Sequence, residues 1–95
     1  MIVQFIRLNS RLKEEELLNK ARERKSRFQS IPGLIQKYYV KMDEPGKYGG
    51  IYIWDSLEAL KSFRESDLAQ SIPEAYQVIE APAVELMDLL FQLRD

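Results

Sequence analysis

In the hexapeptide GGIYIW (Gly49–Trp54), Ile51 and Ile53 alternate with Tyr52 and Trp54. Successive side chains of a strand point to opposite faces, so a strand built this way has no polar face. It must be covered twice, and that limits the folds open to a short chain. Ile2–Leu8, IVQFIRL, is also apolar on both faces and rich in β-branched and aromatic residues, the mark of a first strand. Leu34–Met42 reads as a second. Pro45-Gly46 suits the central positions of a type II turn leading into the third, Gly50–Trp54, as a hairpin.

Between the first two strands, Leu17, Leu18, Ala21 and Phe28 recur at helical spacing from Arg11 to about Phe28. Asn9 and Ser10 are candidate caps, Glu14–Glu16 suit the start of the helix dipole, and Glu16–Lys20 and Glu23–Arg27 are favourable i,i+4 pairs. Ile31-Pro32-Gly33 ends this helix. Asp55 and Glu58 form a D-x-x-E capping box before a second helix with Leu57, Leu60 and Phe63 on one face. Glu65–Pro73 reads as a short helical turn ended by Pro73. Val84–Leu93 carries two signals. Its leucines fit a helix, whereas Pro82 and the order of elements favour a closing strand, the assignment adopted.

The order β-α-β-β-α-β is that of the ferredoxin-like α+β plan, with a four-stranded antiparallel sheet and both helices on one face. The opposite face is then apolar and bare, and pairing of two sheets in a homodimer is the simplest way to cover it. Ninety-five residues suit a single domain spanning 1–95.

Fourteen Lys and Arg against fifteen Asp and Glu leave a net charge of −1. The run ARERKSR (Ala21–Arg27) includes Glu23 and reads as a solvated helix face, so neither nucleic acid nor a membrane is expected as a partner. The chain has no cysteine and no histidine. Disulfides, Cys- or His-ligated metals and His-dependent triads are thereby excluded. The first ten residues are too polar for a signal peptide, and no apolar run approaches the ~20 residues of a membrane span. A cytoplasmic protein is expected.

IPGLIQKYYV followed by GGIYIWDSLEALKSF resembles the antibiotic biosynthesis monooxygenases of the dimeric α+β barrel superfamily, most of all its YdhR-like branch. The resemblance rests on Pro32-Gly33, Lys37, Gly49-Gly50-Ile51-Tyr52 and Trp54. It implies a homodimeric barrel with a pocket near the third strand. It also implies oxidation of a small aromatic or polyketide-like metabolite by dioxygen with no metal, flavin or haem. There an electron-rich phenolate or enolate reacts with oxygen directly, and the protein deprotonates, orients and dries it. Trp54 matches an aromatic position implicated in substrate binding. An Asn of such enzymes falls at Gly50 here, and a Tyr falls near Leu60.

The candidate catalytic residues are Lys37 and Tyr52, and the candidate substrate-binding residues are Trp54, Gly50, Gln4, Tyr39 and Phe63; no metal site is expected. Tyr and Trp present flat stacking surfaces, and a buried Lys could hold a phenolate. Each has a plainer reading: sheet packing for Tyr52 and Trp54, a solvated edge for Lys37, an interface hydrogen bond for Gln4. Tyr38 and Tyr39 point to opposite faces, so only one can line a pocket on a given side. Two non-oxidative functions suit the same pocket, a carrier of hydrophobic ligands and an isomerase or cyclase. Polar groups aimed into the cavity would favour chemistry, and a wall of carbon would favour carrying.

Overall fold

A computed structural model describes residues 1–94. Four strands, β1 (Ile2–Asn9), β2 (Leu34–Lys41), β3 (Lys47–Trp54) and β4 (Ala83–Asp88), form one antiparallel sheet in the order β2-β3-β1-β4. Helix α1 (Glu14–Gln29) joins β1 to β2. Helix α2 (Leu57–Arg64) and two single turns, α3 (Asp67–Gln70) and α4 (Ile72–Ala75), lie between β3 and β4. This is the ferredoxin-like fold expected.

The central strands carry the alternation that fixes the layers. Gln4 opposes Tyr52 and Ile6 opposes Gly50, and these positions face the helices with Trp54 and Tyr48. Phe5 opposes Ile51 and Val3 opposes Ile53 on the other face. The helix-side core is Tyr52, Trp54, Leu60 and Phe63, joined by Leu17, Ala21 and Phe28 of α1 and by Leu68, Ile72 and Tyr76. On the opposite face no element of the described chain covers Val3, Phe5, Ile51 and Ile53, and Tyr38 and Met87 are exposed beside them.

Several local expectations change. Strand β3 begins at Lys47, three residues before Gly50, because Lys47–Gly49 already pair with Asn9–Arg7 of β1. The turn before it closes through Lys47 N–H donating to the Glu44 carbonyl at 3.2 Å, with Gly46 at φ +80°. Asn9 and Ser10 do not cap α1. Asn9 lies in β1, Lys13 takes the cap position, and its N–H donates to Glu16 at 2.9 Å. Ser56, not Asp55, caps α2 by accepting from the Ala59 N–H. Leu57 is exposed rather than on the buried face, and Lys20 pairs with Glu23 rather than Glu16. Pro73 sits in the first turn of α4, where its missing N–H is harmless, instead of ending a helix. β4 stops at Asp88, and Leu90, Phe91 and Leu93 beyond it are exposed.

Candidate functional site

The β2–β3 register places Lys37 opposite Tyr52 and Tyr39 opposite Gly50, all on the helix side of the sheet. Phe28, four residues beyond Arg24 on α1, comes down onto the same spot. The Lys37 amine therefore lies among three rings, with Nζ 3.7 Å from the centroid of Phe28, 4.3 Å from Tyr39 and 4.6 Å from Tyr52. Gly50 makes this approach possible. A Cβ there would stand 3.0 Å from Tyr52 Cε1 and 3.3 Å from Lys37 Cε.

Lys37 as a residue is half-buried, and its amine end is the enclosed part. Among the described residues no carboxylate lies within ion-pair distance of it. Burial, helped by repulsion from Arg24, pulls its pKa from 10.5 down to about 7. The ring faces return on the order of 1 kcal/mol each, less than the several kcal/mol of hydration that an enclosed ammonium loses. The surrounding phenols move the other way. Burial pushes Tyr39 up to about 12, with Tyr76 adding to the effect and Arg24 opposing it. Burial raises Tyr52 further, and raises Tyr76 against the pull of Arg24. Near neutrality only the lysine of this group changes charge.

Arg24 is the residue that sequence reasoning missed. It was placed on a solvated face, yet it is 8% exposed. Its Nη2 donates to the Leu68 carbonyl at 3.3 Å and to Ser71 Oγ at 3.0 Å, while Nε has no partner among the described residues. The guanidinium lies 5.6 Å from the Tyr76 ring centroid and 5.7 Å from that of Phe28. The signal was present: Leu17, Ala21, Arg24 and Phe28 follow the i, i+4, i+7, i+11 spacing of one helix stripe.

Lys37, Tyr39, Gly50, Tyr52, Tyr76 and Ile72 line a cavity of about 40 Å³. That is room for one or two waters or the polar end of a ligand, not for a ring. The Tyr76 hydroxyl is buried without a hydrogen-bond partner among the described residues. Tyr39, 40% exposed, is the aromatic member nearest solvent, and Tyr38 points to the opposite face.

Three expected binding residues lie elsewhere. Trp54 is fully buried, its Nε1–H donates to Gln4 Oε1 at 3.0 Å, and its ring stacks parallel to Tyr52 at 6.0 Å. Gln4 is thus spent inside the core. Phe63 packs against Trp54 and Tyr52, at 5.3 and 5.6 Å between centroids. The three back the cavity wall without lining it, because each already has its partner in the core. Arg7 pairs with Glu85 at 3.0 Å on the far face.

This fold, with its helices on one face of the sheet, is that of structures described as antibiotic biosynthesis monooxygenases. Particular matches are SnoaB, a cofactor-independent oxygenase from Streptomyces nogalater (TM-score 0.76, 14% identity, 99% of this chain and 97% of that one), and a candidate antibiotic biosynthesis monooxygenase from Deinococcus radiodurans (0.75, 14%, 100% and 98%). A protein of unknown function from Nitrosomonas europaea aligns equally well (0.78, 16%, 96% and 90%). No protein-family model and no curated protein sequence matches the chain. At these identities the likeness is one of fold, and it does not single out the YdhR-like branch.

Proposed function

We propose that this chain is a small oxygenase that works without a cofactor on an acidic planar aromatic compound, as a homodimer joined through the bare sheet face. The observation that carries the reading is Lys37, which lines the cavity and whose amine is held among Phe28, Tyr39 and Tyr52 with no described carboxylate beside it. An amine with a pKa of about 7 is part free base at neutral pH and can accept a proton from a bound phenol. Once protonated, it holds the phenolate it has made. The cavity admits the hydroxyl end of such a ligand, while the ring lies across the mouth against Tyr39.

For a ligand with an activated CH₂ conjugated to the phenolate, the chemistry balances without a bound redox group. Loss of a proton gives a carbanion, dioxygen adds to that carbon, and the peroxide is protonated. Loss of water then leaves a carbonyl, so one CH₂ and one O₂ become one C=O and one H₂O. SnoaB, described as a cofactor-independent oxygenase, shares the fold and supports this direction.

Calorimetric titration with planar phenols, paired with an oxygen electrode, tests the reading. The expected result is saturable binding with a proton transferred to the protein, oxygen uptake, and at least a tenfold loss of affinity in Lys37→Met. Unchanged affinity in that folded variant would overturn the assignment of Lys37. Binding without oxygen uptake by any oxidisable ligand would make the chain a carrier instead.

A further inference from the structure

We propose that Lys37 is also an imine-forming amine, which captures the carbonyl group of a small aldehyde or ketone through a reversible Schiff base. Three observations carry this. Lys37 lines a cavity whose size, about 40 Å³, suits a carbonyl head group. Its immediate contacts are ring faces, which leave the nitrogen lone pair uncommitted once the proton is gone. The charged or titratable groups around it are Arg24 from α1, Tyr39 from β2, Tyr52 from β3 and Tyr76 after α4, and none is a carboxylate that would keep it protonated. A lysine desolvated in an apolar pocket beside another cation is the arrangement that makes an amine nucleophilic at neutral pH.

The step balances. The amine lone pair attacks the carbonyl carbon, a C–N bond forms, and the carbonyl oxygen takes up a proton. The nitrogen releases its own protons, the hydroxyl leaves as water, and a C=N bond remains; no oxidant is consumed. With a pKa of about 7 against 10.5 for an ordinary lysine, Lys37 holds on the order of a thousandfold more free base at pH 7. This activity uses the cavity described above but not its oxygen chemistry, so either can fail alone.

The test is reductive trapping with benzaldehyde and cyanoborohydride, read by intact mass and peptide mapping across pH. The expected result at pH 7 is one benzyl adduct, on Lys37, forming at least tenfold faster than on any other lysine, with a rate midpoint near pH 7. Lys37→Arg, folded by circular dichroism, should lose the adduct while the slow background stays. Labelling spread over the exposed lysines, or a midpoint near 10.5, would overturn the proposal. Should Lys37→Arg fail to fold, the peptide map of the unaltered chain decides alone.

Discussion

Lys37 ties the stability of the chain to pH. Its folded pKa, about 7, lies below the 10.5 of a free lysine, so between those values the unfolded state binds more protons than the folded one. Stability should therefore rise with pH across that window, with the penalty of an enclosed ammonium fully present below it. Tyr39, raised to about 12, and Tyr52, raised by burial, stay neutral when folded but ionise on unfolding above pH 10, so stability should fall again there. Urea midpoints at pH 6, 8 and 10 check this: Lys37→Met should flatten the rise and be more stable than the parent at pH 6. Gln4 and Trp54 give a second prediction. Gln4→Leu would leave the buried Trp54 N–H unpaired, costing about 1–3 kcal/mol, measurable by denaturant unfolding. Of the site, parity within each strand pairs Gly50 with Tyr52 and Lys37 with Tyr39, but only the β2–β3 register brings the two pairs onto one face. Arg24 was not, because a charged residue in a charged run is ordinarily solvated, and only its place in the apolar stripe says otherwise. The depth of Trp54 was not legible, since parity gives a face and not a depth, and its partner Gln4 lies fifty residues away.

Among the elements, the junction after α4 is closed by backbone hydrogen bonds. Gln77 has φ +48°, and the Val78 N–H reaches back to the Pro73 carbonyl at 2.8 Å, closing a Schellman-type end in which Gln77 takes the position usually given to glycine. Gln77→Gly should relieve that conformation and stabilise the fold by up to about 1 kcal/mol, read as a raised Tm. Gly33 shows the reverse case. At φ +82° its Cβ would meet Ala59 Cβ at 2.5 Å and Asp55 Oδ1 at 2.7 Å, so Gly33→Ala should destabilise by more than 1 kcal/mol. Ser10, read as a helix cap, instead donates from Oγ to the Tyr76 carbonyl at 2.6 Å and accepts from the Leu12 N–H at 3.0 Å. It thereby fixes the cavity segment to the end of β1. Most element types were legible from periodicity, whereas for the closing strand Pro82 and the order of elements outweighed the helical spacing of its leucines. Helix caps were less so, because Asn, Ser and Asp stood in candidate positions and backbone geometry chose among them.

At the scale of the whole molecule, Val3, Phe5, Ile51 and Ile53 form a half-buried apolar face, with Tyr38 and Met87 exposed beside it and no helix over it. Two copies meeting there would bury on the order of 1,200–2,000 Å² or more. Sedimentation should show a dimer at micromolar concentration, and Ile51→Glu should give a folded monomer. A parent chain that sediments as monomer would remove the dimer from the reading. No helix of the described residues is long and apolar enough to cross a membrane, which agrees with the sequence. The buried stack of Trp54 on Tyr52 has an optical consequence. As the only tryptophan, shielded from water and parallel to a phenol, Trp54 should emit to the blue and collect excitation energy from Tyr52. The chain thus carries its own lamp behind the cavity wall. A shift of Tyr52 when a ligand reaches Lys37 would change that transfer, so arrival at the site could be watched in unlabelled protein, one photon at a time.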